Sequence, residues 1–518
     1  MTSVAANETA PRATRRDWIG LAIIALPCMV YAMDLTVLNL AIPALSAELN
    51  PSSAQLLWII DIYGFMVAGF LITMGTLGDR IGRRRLLLIG AAAFAAASLI
   101  AAYSGSAAML IATRALLGVA GATLAPSTMS LIRNMFHDER QRQFAIGVWI
   151  ASFSIGGAIG PVVGGVIIEW FHWSAVFLVA VPVMGLLLLL GPTLLPEYRD
   201  PDAGSIDSPS VVISLGAVLA TIYGLKRLAE QGASAIALAA VVAGVVLGVA
   251  FVRRQARLAY PLMDLGLFRR ARFSAAIAAY ALSCMAMFGV YIFITQYLQL
   301  VLGLSPLHAG LATVPWSLGF VVGSLLAPKL AHRWPATRVL GWGLVVAGVG
   351  LFPLLLADTS WGLAALILGT IVMSLALGPV FALGNEMIIT SAPPERAGAA
   401  SALSETSAEF SGAVGVAIFG SVGTVIYRAG LQDELPTGVS QDAATQALAT
   451  LGGAVSAAAD LPAAVADALS LAARASFVDA LQAATVVASA ILFGAAVLAV
   501  RMLRNGSAEE HAAHRAGR

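Results

Sequence analysis

The sequence is poor in charge. Only 11% of its 518 residues are Asp, Glu, Lys or Arg, against 59% hydrophobic residues, and its mean hydropathy is +0.87. A water-soluble chain carries roughly 25% charge and about 45–50% apolar residues. A surface this thinly charged excludes a cytosolic enzyme, a nucleic-acid binder and a disordered scaffold. Cysteine is scarcer still. Cys28 and Cys284 both lie in apolar stretches, which excludes a disulfide framework or a cysteine metal cluster and leaves two soft packing atoms. Net charge says little, because 30 basic and 28 acidic residues nearly cancel. No GxxxxGK[ST] phosphate loop occurs, so no nucleotide site is expected; separately, no metal or other cofactor is expected.

What the sequence has instead is long apolar runs. A helix needs about 20 mostly apolar residues to cross a hydrocarbon core of about 30 Å. Runs between polar breaks predict fourteen spans, so the expected fold is an all-α membrane protein. Six start near Trp18, Leu56, Leu86, Ala107, Phe144 and Ser174, and two more near Ser210 and Ala233. The last six start near Phe273, Leu307, Arg338, Trp361, Gly398 and Phe477. The first run, Trp18 to Leu40, exceeds a signal-peptide core and follows Arg12, Arg15 and Arg16, so it reads as a retained span.

Basic residues orient these spans. With both termini inside, 25 of the 30 fall on the inner side; outside lie Lys226, Arg227, Arg428 and Arg474, and Arg114 lies within a span. The expected organisation is a cytoplasmic tail (1–17), a six-helix bundle (18–195), two inserted helices (210–252), a second six-helix bundle (273–503) and a cytoplasmic tail (504–518). A weak repeat supports the two halves. Gly75-Thr-Leu-Gly-Asp-Arg-Ile-Gly-Arg-Arg-Arg85 follows the second span, and Pro328-Lys-Leu-Ala-His-Arg-Trp-Pro-Ala-Thr-Arg338 follows the tenth, with His332 at the place of Asp79. Paired six-span halves with a midplane site between them are a transporter architecture. The long outer loop, about 428–476, reads equally as a short amphipathic helix or hairpin and as a solvated connector.

A charge near the bilayer centre costs at least a few kcal/mol, about 2.5 or more, so an intramembrane acid is a functional candidate. Six ionisable residues qualify: Asp34, Asp61, Arg114, Glu386, Glu405 and Glu409. Glu405 and Glu409 are spaced i,i+4 and share a helix face, where like charges repel. Acids that gain and lose protons there are what proton-coupled exchange requires. The competing reading pairs Asp34 with Arg114 as a fixed neutral unit, solvates Asp61 at the outer boundary and makes Glu386 a marker of the inner interface. Tyr31, Met33, Trp58, Tyr63, Trp149, Phe153, Met285, Phe288 and Tyr291 lie near these acids. Aromatic faces attract organic cations, although core or lipid packing is the more ordinary use for any single one of them.

Two motifs bear on conformational change. In the fifth span, Gly156, Gly160 and Gly164 form one row, and Gly157, Pro161 and Gly165 form the next. Small residues every four positions let backbones approach, and proline permits a kink. In the 75–85 loop, Gly75 opens a turn in which Asp79 beside Arg80 and Arg83 can latch two helices by ion pairs.

With these motifs the chain resembles the fourteen-span drug:proton antiporters of the major facilitator superfamily. Gly75–Arg85 is similar to the superfamily's loop signature, Arg114-Ala-Leu-Leu-Gly-Val-Ala-Gly121 to its fourth-span motif, and Gly156–Gly165 to the fifth-span antiporter motif. Met33-Asp-Leu-Thr-Val-Leu-Asn39, Leu57-Trp-Ile-Ile-Asp-Ile-Tyr63 and Ser401-Ala-Leu-Ser-Glu-Thr-Ser-Ala-Glu409 are similar to segments of pumps for quaternary ammonium compounds and dyes. The resemblance implies that Asp34, Asp61, Glu405 and Glu409 serve substrate recognition and proton coupling. It implies lipophilic cationic substrates, fluoroquinolones included, with protons and membrane lipids as the other partners, in a bacterial inner membrane and as a monomer. The tenth span lacks the acid that some relatives carry, which argues against a preference for divalent cations. Rival expectations are a pump for an endogenous lipid or metabolite and a non-transporting sensor or scaffold.

Overall fold

The structure is a computed structural model that describes residues 12–199, 207–231, 234–258, 265–357, 361–391 and 397–516. Among these residues it is helical throughout and contains no strand. The first half comprises α1 (Arg15–Leu49), α2 (Ser53–Ile81), α3 (Arg83–Ala102), α4 (Ala107–Gly121), α5 (Leu124–Met135), α6 (Glu139–Trp170) and α7 (Ala180–Leu194). Helices α8 (Ser208–Gln231) and α9 (Ala235–Gln255) follow. The second half comprises α10 (Ala271–Gln296), α11 (Pro306–Arg333), α12 (Ala336–Gly350), α13 (Gly362–Thr390), α14 (Ala397–Asp433), α15 (Gln441–Ala449), α16 (Leu451–Ala458) and α17 (Ala463–Ala516).

Local chemistry sets the helix starts. Thr14 and Ser52 form capping boxes with Asp17 and Gln55, and Ser106, Asp138, Ser234 and Ser305 accept from the third residue after them. Each satisfies a backbone N–H that the first helical turn leaves unpaired. Eleven helices are long and apolar enough to cross a membrane, and thirteen if two bent pairs each count as one span. The remaining expected span is α8, whose apolar part, Ser208–Thr221, is shorter than a crossing. Lys226, Arg227 and Glu230 polarise its last turns. The fourteen-span count is therefore not reached on length and apolarity among the described residues.

Packing between the halves runs along two seams, α2 against α14 and α6 against α11. The α8–α9 hairpin packs on the first seam, touching α2 and α14 through α8. Arg254 Nε and Nη2 each donate to Asp207 at 2.7 Å, and Gln255 Nε2 donates to Ser210 at 2.8 Å. The Arg254 guanidinium, with the Ser210 hydroxyl, holds the Asp207 carboxyl well below the usual carboxylate range.

The 428–476 segment is folded. It holds the end of α14, then α15 and α16, and α17 begins at Ala463, ahead of the expected entry at Phe477. Tyr427 donates to Ala447 O at 2.9 Å, Gln446 Nε2 to Asn50 Oδ1 at 2.5 Å, and Ser53 Oγ to Ala449 O. Leu451, Ala454 and Ala457 of α16 are buried, and α16 packs against α1. The segment is thus a helical cap docked on the α1–α2 corner.

Candidate functional site

The glycine rows of α6 divide between two partners. A Cβ on Gly156, Gly160 or Gly164 would strike Met29, Thr36 and Val37 of α1, so this row seats α6 within its own half. The neighbouring row faces the other half. A Cβ on Gly165 would lie 2.6 Å from Pro306 O, and one on Gly310 of α11 would strike the Pro161 carbonyl. Such close backbone approach is what small residues permit. The helix bends by 40° between Gly157 and Ile159. Pro161 lacks the N–H that would donate to the Gly157 carbonyl, which accounts for the bend there.

Phe153, Gly157 and Pro161, on that second row, line a cavity of about 170 Å³ between the halves. Thr36 of α1 joins them, with Met287, Phe288 and Tyr291 of α10 and Thr313, Trp316, Ser317, Phe320 and Val321 of α11. The α11 set recurs at i, i+3, i+4, i+7 and i+8, which is one face of a helix. Tyr291 and Trp316 meet edge to face with centroids 5.0 Å apart. The cavity is smaller than the roughly 300–1,000 Å³ of ligand pockets, so a drug-sized guest requires the halves to part.

Among the described residues, polar contacts across the halves gather at the end where α6 finishes and α11 starts. Gln299 Nε2 donates to Leu40 O at 3.1 Å and Leu307 N to Glu169 Oε2 at 3.4 Å. The helical cap adds Gln446 to Asn50 and Ser53 to Ala449 at the same end. That end is closed in this conformer.

Beside the cavity lies a buried ion pair. Arg114 of α4 and Asp34 of α1 are 1% and 7% exposed. Arg114 Nη1 donates to Asp34 Oδ2 at 2.5 Å and Nε donates to Ile59 O at 3.2 Å. The guanidinium also stands 4.7 Å from the centre of the Tyr63 ring. Tyr63 packs against Tyr31 at 6.0 Å, and Tyr31 against Phe153 at 5.7 Å. A chain of rings therefore connects the pair to the cavity wall.

The other expected residues are spread more widely. Met33 is buried at the α1–α6 contact. Trp149 is buried, donating to Thr128 Oγ1 at 2.9 Å, and contacts Phe153 at 4.7 Å. Trp58 packs with Phe65, Val218, Val414 and Ala417 at the α2–α8–α14 seam, away from the cavity. Met285 sits where Gly415 of α14 meets α10. Glu405 is half-buried in α14, and Glu386 is exposed at the end of α13. Asp61 and Glu409 occupy α2 and α14, but their side chains, like that of Asp79, lie outside the described residues.

The expected loop at 75–85 is mostly helix: residues 75–81 continue α2, Gly75 opens no turn but faces Pro126, Gly82 alone turns the chain into α3, and Arg80 is exposed. Arg83 is buried, and its Nη1 donates to Pro126 O at 3.4 Å. The residue that clamps this loop, Glu197, was not expected. Its carboxylate accepts from Arg84 N at 3.0 Å and Arg85 N at 3.2 Å, and its Oε2 lies 3.6 Å from Arg84 Nε. It thus serves the unpaired first-turn donors of α3. Also outside the sequence expectations were Thr36, Thr313, Trp316, Ser317 and Phe320. The four on α11 share one sequence signal, their spacing along a single helix face, and Thr36 has none beyond its place in the 33–39 segment.

The chain is 44% identical to the multidrug efflux pump LfrA of Mycolicibacterium smegmatis, over 96% of this chain and 98% of that one. It is 35% identical to the methyl viologen resistance protein SmvA of Salmonella typhimurium, over 89% and 93% of the two. Among solved structures, an inward-facing, unoccupied bacterial homologue of the human lysosomal transporter Spinster superposes with a TM-score of 0.64 at 16% identity, covering 95% of this chain and 99% of that one. A peptide transporter POT in complex with sulfate gives 0.61 at 17% identity, covering 93% and 95%. The Major Facilitator Superfamily model matches residues 24–416, and with two helical halves meeting around an aromatic cavity, this multi-pass membrane chain belongs to that superfamily and is a transporter, not an enzyme.

Proposed function

We propose that the protein is a multidrug efflux antiporter that exports lipophilic organic cations in exchange for protons. The observation that carries this reading is the buried Asp34–Arg114 pair, joined through Tyr63, Tyr31 and Phe153 to the cavity between the halves. The names of its relatives, a multidrug efflux pump and a methyl viologen resistance protein, point the same way.

The chemistry follows from the parts. Faces of Trp316, Tyr291, Phe153 and Phe288 attract a flat or quaternary cation, and Met287 adapts to its shape. A carboxylate held by an arginine in a poorly solvated site has two neutral arrangements: ion-paired, or protonated with the arginine paired elsewhere. Proton arrival at Asp34 loosens Arg114 from α1 and biases the halves toward the other conformer. Glu405 and Glu409, on one face of α14, supply the second set of exchangeable protons, and Asp61 lies on the facing α2. The proton gradient, about 2.3 kcal/mol per charge per 100 mV, drives the cycle without a cofactor. On this reading the protein works as a monomer in a bacterial inner membrane, with both termini in the cytoplasm and fourteen spans.

The test is ethidium efflux from energised vesicles containing the purified protein. Export that collapses on adding a protonophore is expected. Export that persists at the same rate would overturn proton coupling, and no export of any cationic dye would overturn the substrate class.

A further inference from the structure

The loop after α11 resembles the first-half loop in sequence but is electrically different. Glu197 satisfies the α3 end of the first loop. Lys329, His332, Arg333 and Arg338 are all exposed, and none makes an ion pair among the described residues. Helices α11, α12 and α13 carry a single acid between them, Glu386, which also makes no ion pair.

One of these cations, Arg338, lines a groove of about 720 Å³ between α11, α12 and α13, and the other three lie close to it in the chain. Arg338 forms part of its wall, with Trp334 and Trp342 near it, and the rest is apolar: Leu326, Val346 and Pro379 among others. Its volume falls within the roughly 300–1,000 Å³ range of ligand pockets. Trp342 is 68% exposed from protein. Tryptophan favours the headgroup level of a bilayer, where one edge is wet and the other apolar.

We propose that this groove binds an anionic phospholipid, its phosphate held by Arg338 with Arg333 and Lys329 beside it and an acyl chain lying between α11, α12 and α13. The charge pattern selects the occupant. An uncompensated guanidinium on an apolar wall repels the lipophilic cations proposed as substrates and suits a headgroup phosphate bidentately. The lipid then supplies the negative charge that Glu197 supplies to the first-half loop, and steadies the α11–α12 turn in the same way.

The experiment reconstitutes the full chain in phosphatidylcholine vesicles containing a minor fraction of phosphatidylglycerol, with brominated chains on one lipid at a time. The readout is quenching of the fluorescence that is lost in Trp342→Phe. Brominated phosphatidylglycerol is expected to quench it at several-fold lower mole fraction than brominated phosphatidylcholine. Arg338→Gln weakens this preference about fivefold, as expected for one basic residue at a charged surface, and Arg338→Lys retains it in part. Should Arg338→Gln fail to fold, unlabelled phosphatidylglycerol must relieve the quenching in the wild-type protein, whereas soluble glycerol phosphate must not. Equal quenching by both brominated lipids, relief by glycerol phosphate, or full preference in a folded Arg338→Gln protein would overturn the proposal. None of these readings depends on transport.

Discussion

The two halves handle charge in opposite ways. In the first, two cations near the cavity and the α2–α3 turn have acidic partners: Arg114 has Asp34, and Arg84 has Glu197. In the second, Glu405 is half-buried without an ion-pair partner, and Arg338 stands exposed without one, among the described residues. The second half contributes most of the cavity wall instead, through α10 and α11. Paired charge is found on one side and most of the cavity wall on the other, so the two halves differ in chemistry while both are helical.

Breaking the lock should have the largest effect. Arg114→Gln leaves a carboxylate buried without its partner, an arrangement that costs about 3–5 kcal/mol. Unfolding of the purified protein in detergent should show that loss, and Asp34→Asn combined with Arg114→Gln should recover most of it. Glu405→Gln is the contrasting case. It removes no pair, so its unfolding transition should stay near wild type, while the pH dependence of dye export flattens. A stable, active Arg114→Gln protein would mean that the halves do not differ as described.

The two loops differ next in backbone. Gly82 has φ +110°, and a Cβ there would sit 2.6 Å from Glu197 Oε1. The matching residue in the second loop is Pro335, at φ −54°. Gly82→Ala should therefore cost about 1–3 kcal/mol, measured by unfolding, whereas Pro335→Ala should change little. Equal effects would mean that the loops share one geometry.

Substrate recognition should follow the aromatic face of α11. Trp316→Ala is expected to raise the KM for cationic dyes about three- to tenfold, in keeping with cation–π energies of about 0.5–2 kcal/mol. Trp58→Ala should leave KM unchanged, because Trp58 packs at the α2–α8–α14 seam. A larger effect from Trp58 would move the binding site to that seam.

Much of this was legible in the sequence, for identifiable reasons. Span starts follow from hydropathy because lipid imposes it directly: α4 begins at Ala107 as expected, and α11 at Pro306, one residue from the expected Leu307. Asp34 and Arg114 stood out because charge within a span is costly, and their pairing was one of two open readings. Trp316 and Phe320 did not stand out, since an aromatic residue in an apolar helix looks the same facing lipid, core or cavity. Glu197 was hidden for the opposite reason: an acid after a span needs no explanation until Arg84 N and Arg85 N are seen to point at it. Helices α15 and α16 were ambiguous because alanine-rich, weakly amphipathic sequence acquires a fixed place only on docking, here through Gln446 and Tyr427.

The inserted hairpin offers the mildest test of how locked and open charge differ. Asp207 and Arg254 make a two-point pair like a buried one, but Arg254 is 38% exposed at its side chain, and water weakens such pairs. The Asp207 carboxyl is held below its ordinary value by Arg254, so its contribution is present above the unfolded carboxylate pKa of about 3.9. That contribution fades as pH falls below this value toward the folded one. Hydrogen exchange in the first turn of α8 should therefore be severalfold faster in Asp207→Asn at neutral pH and converge with wild type in acid, while the global unfolding transition barely moves. If Asp207→Asn instead unfolds the whole protein as Arg114→Gln is expected to, then burial is not what separates the two pairs, and the hairpin is as much a part of the locked framework as the first half.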